Sequence, residues 1–206
     1  GGGLLAGVAA AIKQVNPRVE VIGVQAEGAD AIARSFREKK YIATDSVSTI
    51  ADGIAVKAPG DMTVELINRY ADDVVTVSDN EISEAILLLM ERCKQIVEPS
   101  GATSVAAVLK GKVDVKGKKV VCLLSGGNID VNILNRVITR GLAKSGRLCT
   151  IEMELDDKPG ELVEVCSVIA GLGGNITGVH HDRSANRNKV NACVLRLTME
   201  TRDEEH

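Results

Sequence analysis

The sequence is poor in aromatic residues, with two tyrosines, one phenylalanine and no tryptophan in 206 residues. A core without large rings must be packed from alanine, valine, isoleucine and leucine, which suits a parallel sheet covered by helices. The shortage also removes the stacking surfaces that single-stranded nucleic acids use. Because a net charge of −3 offers no basic footprint for a phosphate backbone either, nucleic acid is excluded as the expected partner.

Long apolar runs are also lacking: none reaches the length of a membrane span, and no signal peptide is visible. The five cysteines show no C-x-x-C spacing. Cys122 lies in an apolar stretch, and Cys93 and Cys166 fall on apolar helical faces. We therefore expect buried thiols in a reducing compartment rather than disulfides or metal ligands. The sequence predicts a cytoplasmic protein without a membrane partner.

Three glycines, Gly1–Gly3, open the sequence, and an apolar helical pattern follows them to about Val15. Backbone N–H groups at the start of a helix, next to residues without side chains, form a cup for an anion such as phosphate. Neither an initiator methionine nor a polar tail precedes the glycines. We expect the sequence to begin within a motif.

Strands and helices alternate through residues 1–145. The expected strands are Arg18–Ala26, Gly53–Lys57, Asp73–Val77 and Lys119–Leu124, and the expected helix caps are Asp61, Ser78 with Glu81, Asp79 and Asp130. The alternation predicts an α/β fold with an open parallel sheet, whose ligands bind beyond the carboxyl ends of the strands. Gly1–Gly3, Glu27, Glu98 and Ser125 all fall where a strand leads into a helix, so we expect them to converge on one cleft.

The pattern changes at Ser145–Arg147. The expected elements after it are the strands Leu148–Leu155, Asn175–His180 and Val190–Met199, and a helix that carries Leu162 to Ile169 and starts at Pro159. This β-α-β-β order is part of a ferredoxin-like α+β module. Because the sequence stops at His206, where a second helix would follow, we expect the C-terminus to be cut as well. The predicted domains are residues 1–145 and 146–206.

The opening glycines allow a second interpretation. Gly1-x-Gly3-x-x-Ala6 fits the dinucleotide fingerprint, and Glu27 lies about where a ribose-binding acid belongs. An NAD-dependent enzyme is therefore an alternative. Such an enzyme has no need of Ser125–Asn128 at the end of an apolar strand, and this favours a different cofactor.

Four segments carry a more specific resemblance: Gly1–Gly7, Asp52–Gly53, Glu98–Ala102 and Leu124–Asn128. They occur in the order and approximate spacing of fold-type II pyridoxal-phosphate enzymes, and the sequence most resembles the threonine ammonia-lyase (threonine dehydratase) family. The sequence resembles serine dehydratases and serine racemases almost as well. The tail, with its Asp157–Leu162 segment, resembles an ACT regulatory domain. The resemblance covers essentially the whole chain.

The resemblance implies a tryptophan-synthase-β-like fold with pyridoxal 5'-phosphate as cofactor. The residue roles it implies are phosphate binding by Gly1, Gly2, Gly3 and Leu4, a hydrogen bond from Ser125 to the pyridine nitrogen, an acidic position near the cofactor at Glu98, and a first cation ligand at Glu27. Ala33 stands where related enzymes have a second acidic cation ligand. The Schiff-base lysine of the family lies before the glycines, and no lysine here has the Ser-x-Lys context. We expect this chain alone to be inactive.

The implied reaction is β-elimination of L-threonine, and of L-serine, to 2-oxobutanoate or pyruvate and ammonia, in a homo-oligomer regulated through the ACT domain. A branched-chain amino acid is the expected effector, with Asp157, Gly160 and Asn175 as its contacts. Alternatives are a serine racemase or serine dehydratase and a non-catalytic amino-acid-binding module.

The adjacent residues His180 and His181 are expected on a strand, where neighbours point to opposite faces. Because no third ligand is evident, we interpret them as surface histidines rather than a metal site.

Overall fold

The computed structural model describes residues 1–184 and 191–206 as two compact units, Gly1–Val137 and Ile138–His206. One helix, α6 (Val131–Lys144), begins in the first unit and ends in the second. The division predicted from the sequence, after residue 145, lies just beyond the end of this helix. In the described ranges, every helix is too short or too polar to cross a membrane.

The first unit alternates helices with parallel strands, as the sequence predicts. Its helices are α1 (Gly3–Val15), α2 (Ala31–Glu38), α3 (Asp61–Tyr70), α4 (Asp79–Leu88) and α5 (Pro99–Leu109), and its strands are β1 (Ile22–Ala26) and β2 (Asp73–Val77). The two strands pair in parallel, with Ile22 opposite Asp73 and Ala26 opposite Val77. The α/β class is therefore confirmed.

Small aliphatic side chains fill the core of the first unit. A larger cluster of buried residues joins β1, β2, α4 and α5, with Val77, Ile82 and Ile86 among its members. A smaller one packs α1, α2 and α3 together around Ile32 and Ile67. No aromatic residue is among the largest fully buried side chains, as the composition predicts for a core of this kind.

The predicted strand Lys119–Leu124 is wrong. This segment has no regular structure and pairs with no strand in the described part of the chain, and the side chain of Val121 is 92% exposed. An apolar run becomes a strand only where a neighbour supplies its ladder of hydrogen bonds. Here the segment instead contacts α5, through a hydrogen bond of 3.1 Å from Ser104 Oγ to the Leu123 carbonyl.

The predicted strand Gly53–Lys57 is wrong as well. The chain instead makes a 3₁₀ turn at Asp52–Ile54, closed by the hydrogen bonds from Ile54 N to Ala51 O and from Ala55 N to Asp52 O. Because these local bonds use the backbone groups that a sheet would need, the segment stays a turn.

Two of the predicted helix caps are confirmed. The Ser78 hydroxyl accepts from Glu81 N and the Glu81 carboxylate accepts from Ser78 N, which completes a capping box on α4. At α6 the Asp130 carboxylate accepts from Asn132 N at 2.6 Å.

Two predicted caps are wrong. Asp61 already lies inside α3, whose N-cap is Gly60, and in the part of the chain that the structure describes no side chain caps that helix. Asp79 is the first residue of α4, because Ser78 has taken the cap. Its carboxylate accepts instead from the Thr49 hydroxyl at 2.5 Å and from Ile50 N at 3.1 Å.

The second unit is a three-stranded antiparallel sheet with one helix. Its elements are β3 (Leu148–Asp156), α7 (Glu161–Gly171), β4 (Asn175–Asp182) and β5 (Ala192–Glu200). The strand order is β3-β5-β4, and β5 runs antiparallel to both neighbours. The strands that flank α7 are thus parallel, with β5 inserted between them, which is the split β-α-β of a ferredoxin-like module. Val190, predicted as the start of the last strand, lies outside the described residues.

Alternate residues of β5 form the core of the second unit. Leu195, Leu197 and Met199 are buried together with Ile169 of α7, and the intervening residue Arg196 is exposed. The helix begins at Glu161 after Gly160, whose φ is +103°. The prediction that Pro159 is the first helical residue is therefore wrong.

The cysteines are all free, as predicted, but they are less buried than predicted. Cys193 is buried, Cys122 and Cys166 are half-buried, and Cys93 is exposed. The α-helix that should carry Cys93 on its apolar face ends in a π turn, Leu89–Cys93. A π turn takes more residues per turn, so it rotates Cys93 away from the face that Ile82 and Ile86 bury.

Candidate cofactor site

The opening glycines form a turn that leads into α1. Gly2 has a φ of +88°, and a Cβ placed on it would lie 2.9 Å from the Cδ1 atoms of both Ile32 and Ile67. The Thr63 hydroxyl donates to the Gly1 carbonyl at 2.7 Å and fixes this turn against the start of α3. Only glycine satisfies both the left-handed backbone and the close approach at position 2.

The start of α1 is open to an anion. No side chain of the described residues caps this helix of 13 residues, and the N–H groups of its first turn have no partner within the helix. An ideal Cβ on Gly3 would meet nothing within 4 Å, and the side chain of Leu4 is exposed. These features fit the cup for a phosphate that the sequence predicts at Gly1–Gly3 and Leu4.

Glu98 holds the Ser125–Asn128 loop against the start of α5. Its backbone N–H donates to the Gly126 carbonyl at 3.3 Å, and its Oε2 accepts from Asn128 N at 3.1 Å. Its Oε1 accepts from the Ser100 hydroxyl at 2.6 Å. Both carboxylate oxygens are therefore engaged within the protein, so the contacts of Glu98 are those of a residue that fixes the loop.

The loop packs closely on α5 because small residues face each other. Gly126 has a φ of +96°, and a Cβ there would lie 2.5 Å from Glu98 Oε2. On α5, a Cβ on Gly101 would lie 2.6 Å from the Ser125 carbonyl oxygen. A side chain at either glycine would separate the Ser125 loop from the helix.

Ser125 is half-buried at the beginning of this loop, and its hydroxyl makes no hydrogen bond to the described residues. A hydroxyl both donates and accepts, so it can donate to a ring nitrogen without carrying charge. Three residues earlier, burial raises the pKa of the Cys122 thiol, which keeps that neighbour neutral. An open helix start and an available hydroxyl in the first unit fit the phosphate and the ring nitrogen of a phosphorylated pyridine. That both face one cleft stays a prediction.

Glu27 lies on a different turn. It is exposed, and the next residue, Gly28, accepts a hydrogen bond from Ser48 N at 2.9 Å. Ala33, at the position of the second acid, donates its N–H to Gln25 Oε1 at 2.8 Å. The part of the chain that the structure describes does not place Glu27 in a cluster of three metal-ligating side chains. Its cation role stays a prediction.

The predicted effector residues divide between two places. Asp157 and Gly160 line a cavity of about 250 Å³ at the β3–α7 turn. Asn175 lies at the start of β4 and donates to Glu200 Oε2 at 2.9 Å. Lys158 also lines this cavity, and a hydrogen bond to Glu161 raises the pKa of its ammonium, which is paired with Glu161 and Asp156.

His180 and His181 differ as strand neighbours should. His180 pairs across the sheet with Arg196, whereas His181 pairs with Leu195 on the face that α7 covers. His181 is exposed, as the sequence predicts, and two other potential ligand side chains lie near it. Its ring nitrogen, a carboxylate oxygen of Asp157 and the Cys193 sulfur lie within 4.8 Å of one another.

Sequence reasoning missed the side chains that support the predicted site. Thr63 and Ser100 are polar residues in the first turns of α3 and α5, a common place for residues that bond to a neighbouring loop. Cys193 could have been found from its register, because it shares its strand face with the buried Leu195.

Comparison with known proteins identifies the family. Residues 1–126 match the sequence model of a protein family that is described as pyridoxal-phosphate dependent enzyme. An L-threonine ammonia-lyase of Thermotoga maritima is 48% identical over all 206 residues, and one of Geobacter sulfurreducens is 41% identical over the same length. Each alignment covers 51% of the relative, so the chain spans about half the length of these proteins.

Solved structures agree with this result. The processed form of threonine deaminase isoform 2 from Solanum lycopersicum has a TM-score of 0.61 at 34% identity, over 68% of this chain and 39% of that one. Maize serine racemase has a TM-score of 0.61 at 36% identity, over 70% of this chain and 45% of that one. Together with the helix start at Gly3 and the loop that Glu98 holds, these likenesses show that the chain belongs to the family of pyridoxal-phosphate dependent enzymes.

Proposed function

We propose that this chain is part of a pyridoxal-phosphate-dependent threonine ammonia-lyase, which converts L-threonine to 2-oxobutanoate and ammonia. The observation that carries the proposal is the loop Ser125–Asn128, held by Glu98 so that the Ser125 hydroxyl is free for a ligand. Relatives named L-threonine ammonia-lyase, 41–48% identical along the whole chain, support the choice of reaction.

Pyridoxal phosphate, when bound, supplies an electron sink for the bonds broken at the substrate's α-carbon. In this chain the N–H groups at the start of α1 would hold its phosphate through the positive end of the helix dipole. The Ser125 hydroxyl would donate to the pyridine nitrogen. Because a hydroxyl is too weak an acid to give up its proton there, the ring stays less electron-withdrawing than a protonated one. The resemblance implies that this favours β-elimination over transamination.

Glu98 acts as a positioning residue in this proposal. Its two carboxylate oxygens accept from Ser100 and Asn128, so their lone pairs are directed at the loop and α5. Loss of the carboxylate would free the loop and move the Ser125 hydroxyl. The lysine that forms the Schiff base is proposed to lie outside these 206 residues, since no lysine here follows Ser-x.

The test measures release of 2-oxo acid from L-threonine by the complete protein that carries this chain, with bound pyridoxal phosphate followed by its visible absorbance. We expect Ser125→Ala to keep the cofactor and lose turnover by about 10²-fold or more, the usual scale for a group that tunes a reacting centre. Ser104→Ala is the matched control, because its hydroxyl bonds to the nearby Leu123 carbonyl outside the proposed contacts. Unchanged turnover in Ser125→Ala would refute the assigned role.

The same assay separates the second candidate. Maize serine racemase and a fungal L-serine ammonia-lyase share the fold, so L-serine is the competing substrate. Production of pyruvate from L-serine with a higher kcat/KM than that of 2-oxobutanoate from L-threonine would favour a serine enzyme. Formation of D-serine would favour a racemase.

We further propose that residues 1–145 are the C-terminal part of a pyridoxal-phosphate-binding domain and that residues 146–206 are part of an ACT domain in a homo-oligomer. The split β-α-β of the second unit and the cavity at Asp157 and Gly160 support this. A branched-chain amino acid in that cavity would place its ammonium near the Asp157 carboxylate. Isoleucine or valine added to the assay should change the threonine rate, and no change with either would leave the module a scaffold.

A further inference from the structure

Three side chains with different donor atoms converge in the second unit. The Asp157 carboxylate, the His181 imidazole and the Cys193 thiol bring an oxygen, a nitrogen and a sulfur within 4.8 Å of one another. All three residues line the cavity of about 250 Å³. They lie outside the proposed cofactor contacts, and the threonine reaction gives them no task.

The register of the sheet brings them together. Cys193 on β5 pairs with Leu155 of β3, and two residues further along β5 Leu195 pairs with His181 of β4. Cys193 and His181 therefore point to the same face, one step apart along the sheet. Asp157 directly follows β3, and its N–H donates to the Asn191 carbonyl at 2.9 Å, which fixes the turn beside β5. Each of three chain segments contributes one ligand.

We propose that Asp157, His181 and Cys193 bind a divalent transition-metal ion of the Zn²⁺ class. Zinc accepts thiolate, imidazole and carboxylate together in a tetrahedral site, with ligand atoms about 3.3–3.8 Å apart from bonds of about 2.0–2.3 Å. The three groups need to move inwards by only about 1 Å to reach that spacing. The fourth position opens on the cavity, where water completes the tetrahedron.

The charges in the site balance a dication. The thiol gives up its proton when it binds, so thiolate and carboxylate together supply two negative charges. Lys158 does not oppose them, because its ammonium lies 3.0 Å from Glu161 and 3.5 Å from Asp156. His181 would bind the ion through one ring nitrogen.

Arg183 competes with the metal for the Asp157 carboxylate. Its Nε lies 3.0 Å from Asp157 Oδ2 and 3.2 Å from Oδ1. Its side chain is 74% exposed, so the guanidinium can turn to water when a cation takes the carboxylate. The Cys193 sulfur likewise exchanges a weak contact of 3.6 Å with the Leu155 carbonyl for a metal bond. Removing the arginine should therefore tighten metal binding.

A bound ion would join the β3–α7 turn to both other strands of the unit. The site shares Asp157 with the predicted effector contacts, so it is tested without any amino acid present. It needs neither pyridoxal phosphate nor threonine, and its failure would leave the proposed reaction untouched.

The experiment titrates the metal-free chain with Co²⁺, which replaces Zn²⁺ in tetrahedral sites and gives a thiolate-to-cobalt charge-transfer band. We expect one Co²⁺ per chain, with the band displaced by Zn²⁺. Cys193→Ser should abolish the band, and His181→Gln should weaken binding by about 10-fold or more, a loss that even outer-shell changes reach. Arg183→Gln should tighten it.

His180→Gln is the matched control, because His180 lies on the opposite face of the same strand. It should bind Co²⁺ like the unaltered chain. Since Cys193 is buried and its serine variant could unfold, the exposed His181 provides the second test. A band that is absent in the unaltered chain, or that survives both Cys193→Ser and His181→Gln, would overturn the proposal.

Discussion

The two units build their sheets in opposite ways. In Gly1–Val137 the strands β1 and β2 run parallel, and α2 and α3 lie between them in the sequence. In Ile138–His206 the three strands are antiparallel, and every one pairs within fifty-three residues of continuous chain, from Leu148 to Glu200. The first unit leaves the apolar segment Lys119–Leu124 unpaired, within the described residues. Among the described residues, the antiparallel sheet thus includes every strand of its unit, whereas the parallel pair leaves an apolar segment of its own unit without a strand partner.

The units also differ in their chromophores. Phe36, Tyr41 and Tyr70 are the only aromatic residues of the chain, and all three belong to the first unit. Tyrosine fluorescence therefore reports on the first unit alone, while far-ultraviolet circular dichroism reports on the helices and strands of both. Each of the following substitutions lies in one unit. Comparing the fluorescence and dichroism transitions shows which unit has lost stability.

The largest effect is expected from Leu197→Ala in the second unit. Leu197 is fully buried at the centre of a cluster with few other large members, so its truncation should lower the free energy of unfolding by about 2–5 kcal/mol. The dichroism transition should move to lower denaturant while the tyrosine transition stays in place. Val179→Ala, directly opposite on β4 but 52% exposed, should change the free energy by no more than about 0.5 kcal/mol. A tyrosine transition that moved with the dichroism would show that the units unfold as one.

A smaller effect is expected from Ser78→Ala in the first unit. The substitution removes the acceptor for Glu81 N and breaks the capping box, at a cost of about 1 kcal/mol. The tyrosine transition should report this loss. Ser83→Ala is the control, because the Ser83 hydroxyl only donates to the Asp79 carbonyl in the same helix. Equal losses in the two variants would contradict the cap.

The smallest effect, and the one that depends on pH, is expected from Asp72→Asn. Burial raises the pKa of Asp72, but hydrogen bonds from the Lys13 ammonium and from Val21 N outweigh it, and the pKa lies below its ordinary value. A lowered folded pKa contributes stability above the unfolded pKa that is lost as the pH falls through the folded value. The variant should therefore be less stable than the unaltered chain at neutral pH, by roughly 0.2–1 kcal/mol for a partly exposed pair.

The difference between Asp72→Asn and the unaltered chain should disappear in acid. Denaturant titrations followed by tyrosine fluorescence at several pH values measure it. Asp73→Asn is the neighbouring control, because the Asp73 carboxylate bonds to the next backbone N–H, that of Val74. A difference that persisted below the folded pKa would show that packing, rather than charge, carries the effect.

Local features of the fold were predictable from the sequence, and pairings between distant strands were not. The capping box at Ser78 depends on residues three apart, and the alternation of β5 needs only the strand itself. The strand expected at Lys119–Leu124 depended on neighbours that an apolar run cannot specify. The π turn Leu89–Cys93 escaped prediction because periodicity assumes one helical pitch throughout.

The candidate site follows the same division. Motifs pointed to Gly1–Gly3, Glu98 and Ser125, and the structure brings Glu98 and the Ser125 loop into contact. Contacts that cross between elements were not predictable, such as the hydroxyl of Thr63 on the Gly1 carbonyl. The same holds for the approach of Asp157, His181 and Cys193, which requires the register of three segments.

The strand order of the second unit determines when its sheet can form during protein synthesis. β5 is the last of the three strands to be synthesised, yet it is the central one, and β3 and β4 pair only through it. Until translation has passed Glu200, the nascent polypeptide therefore holds two strands with no hydrogen-bonded partner in that sheet. The apolar residues Ile151 and Met153 of β3 lack the part of their cover that Leu195, Leu197 and Met199 of β5 supply. Translation of the final strand thus decides when the sheet can form.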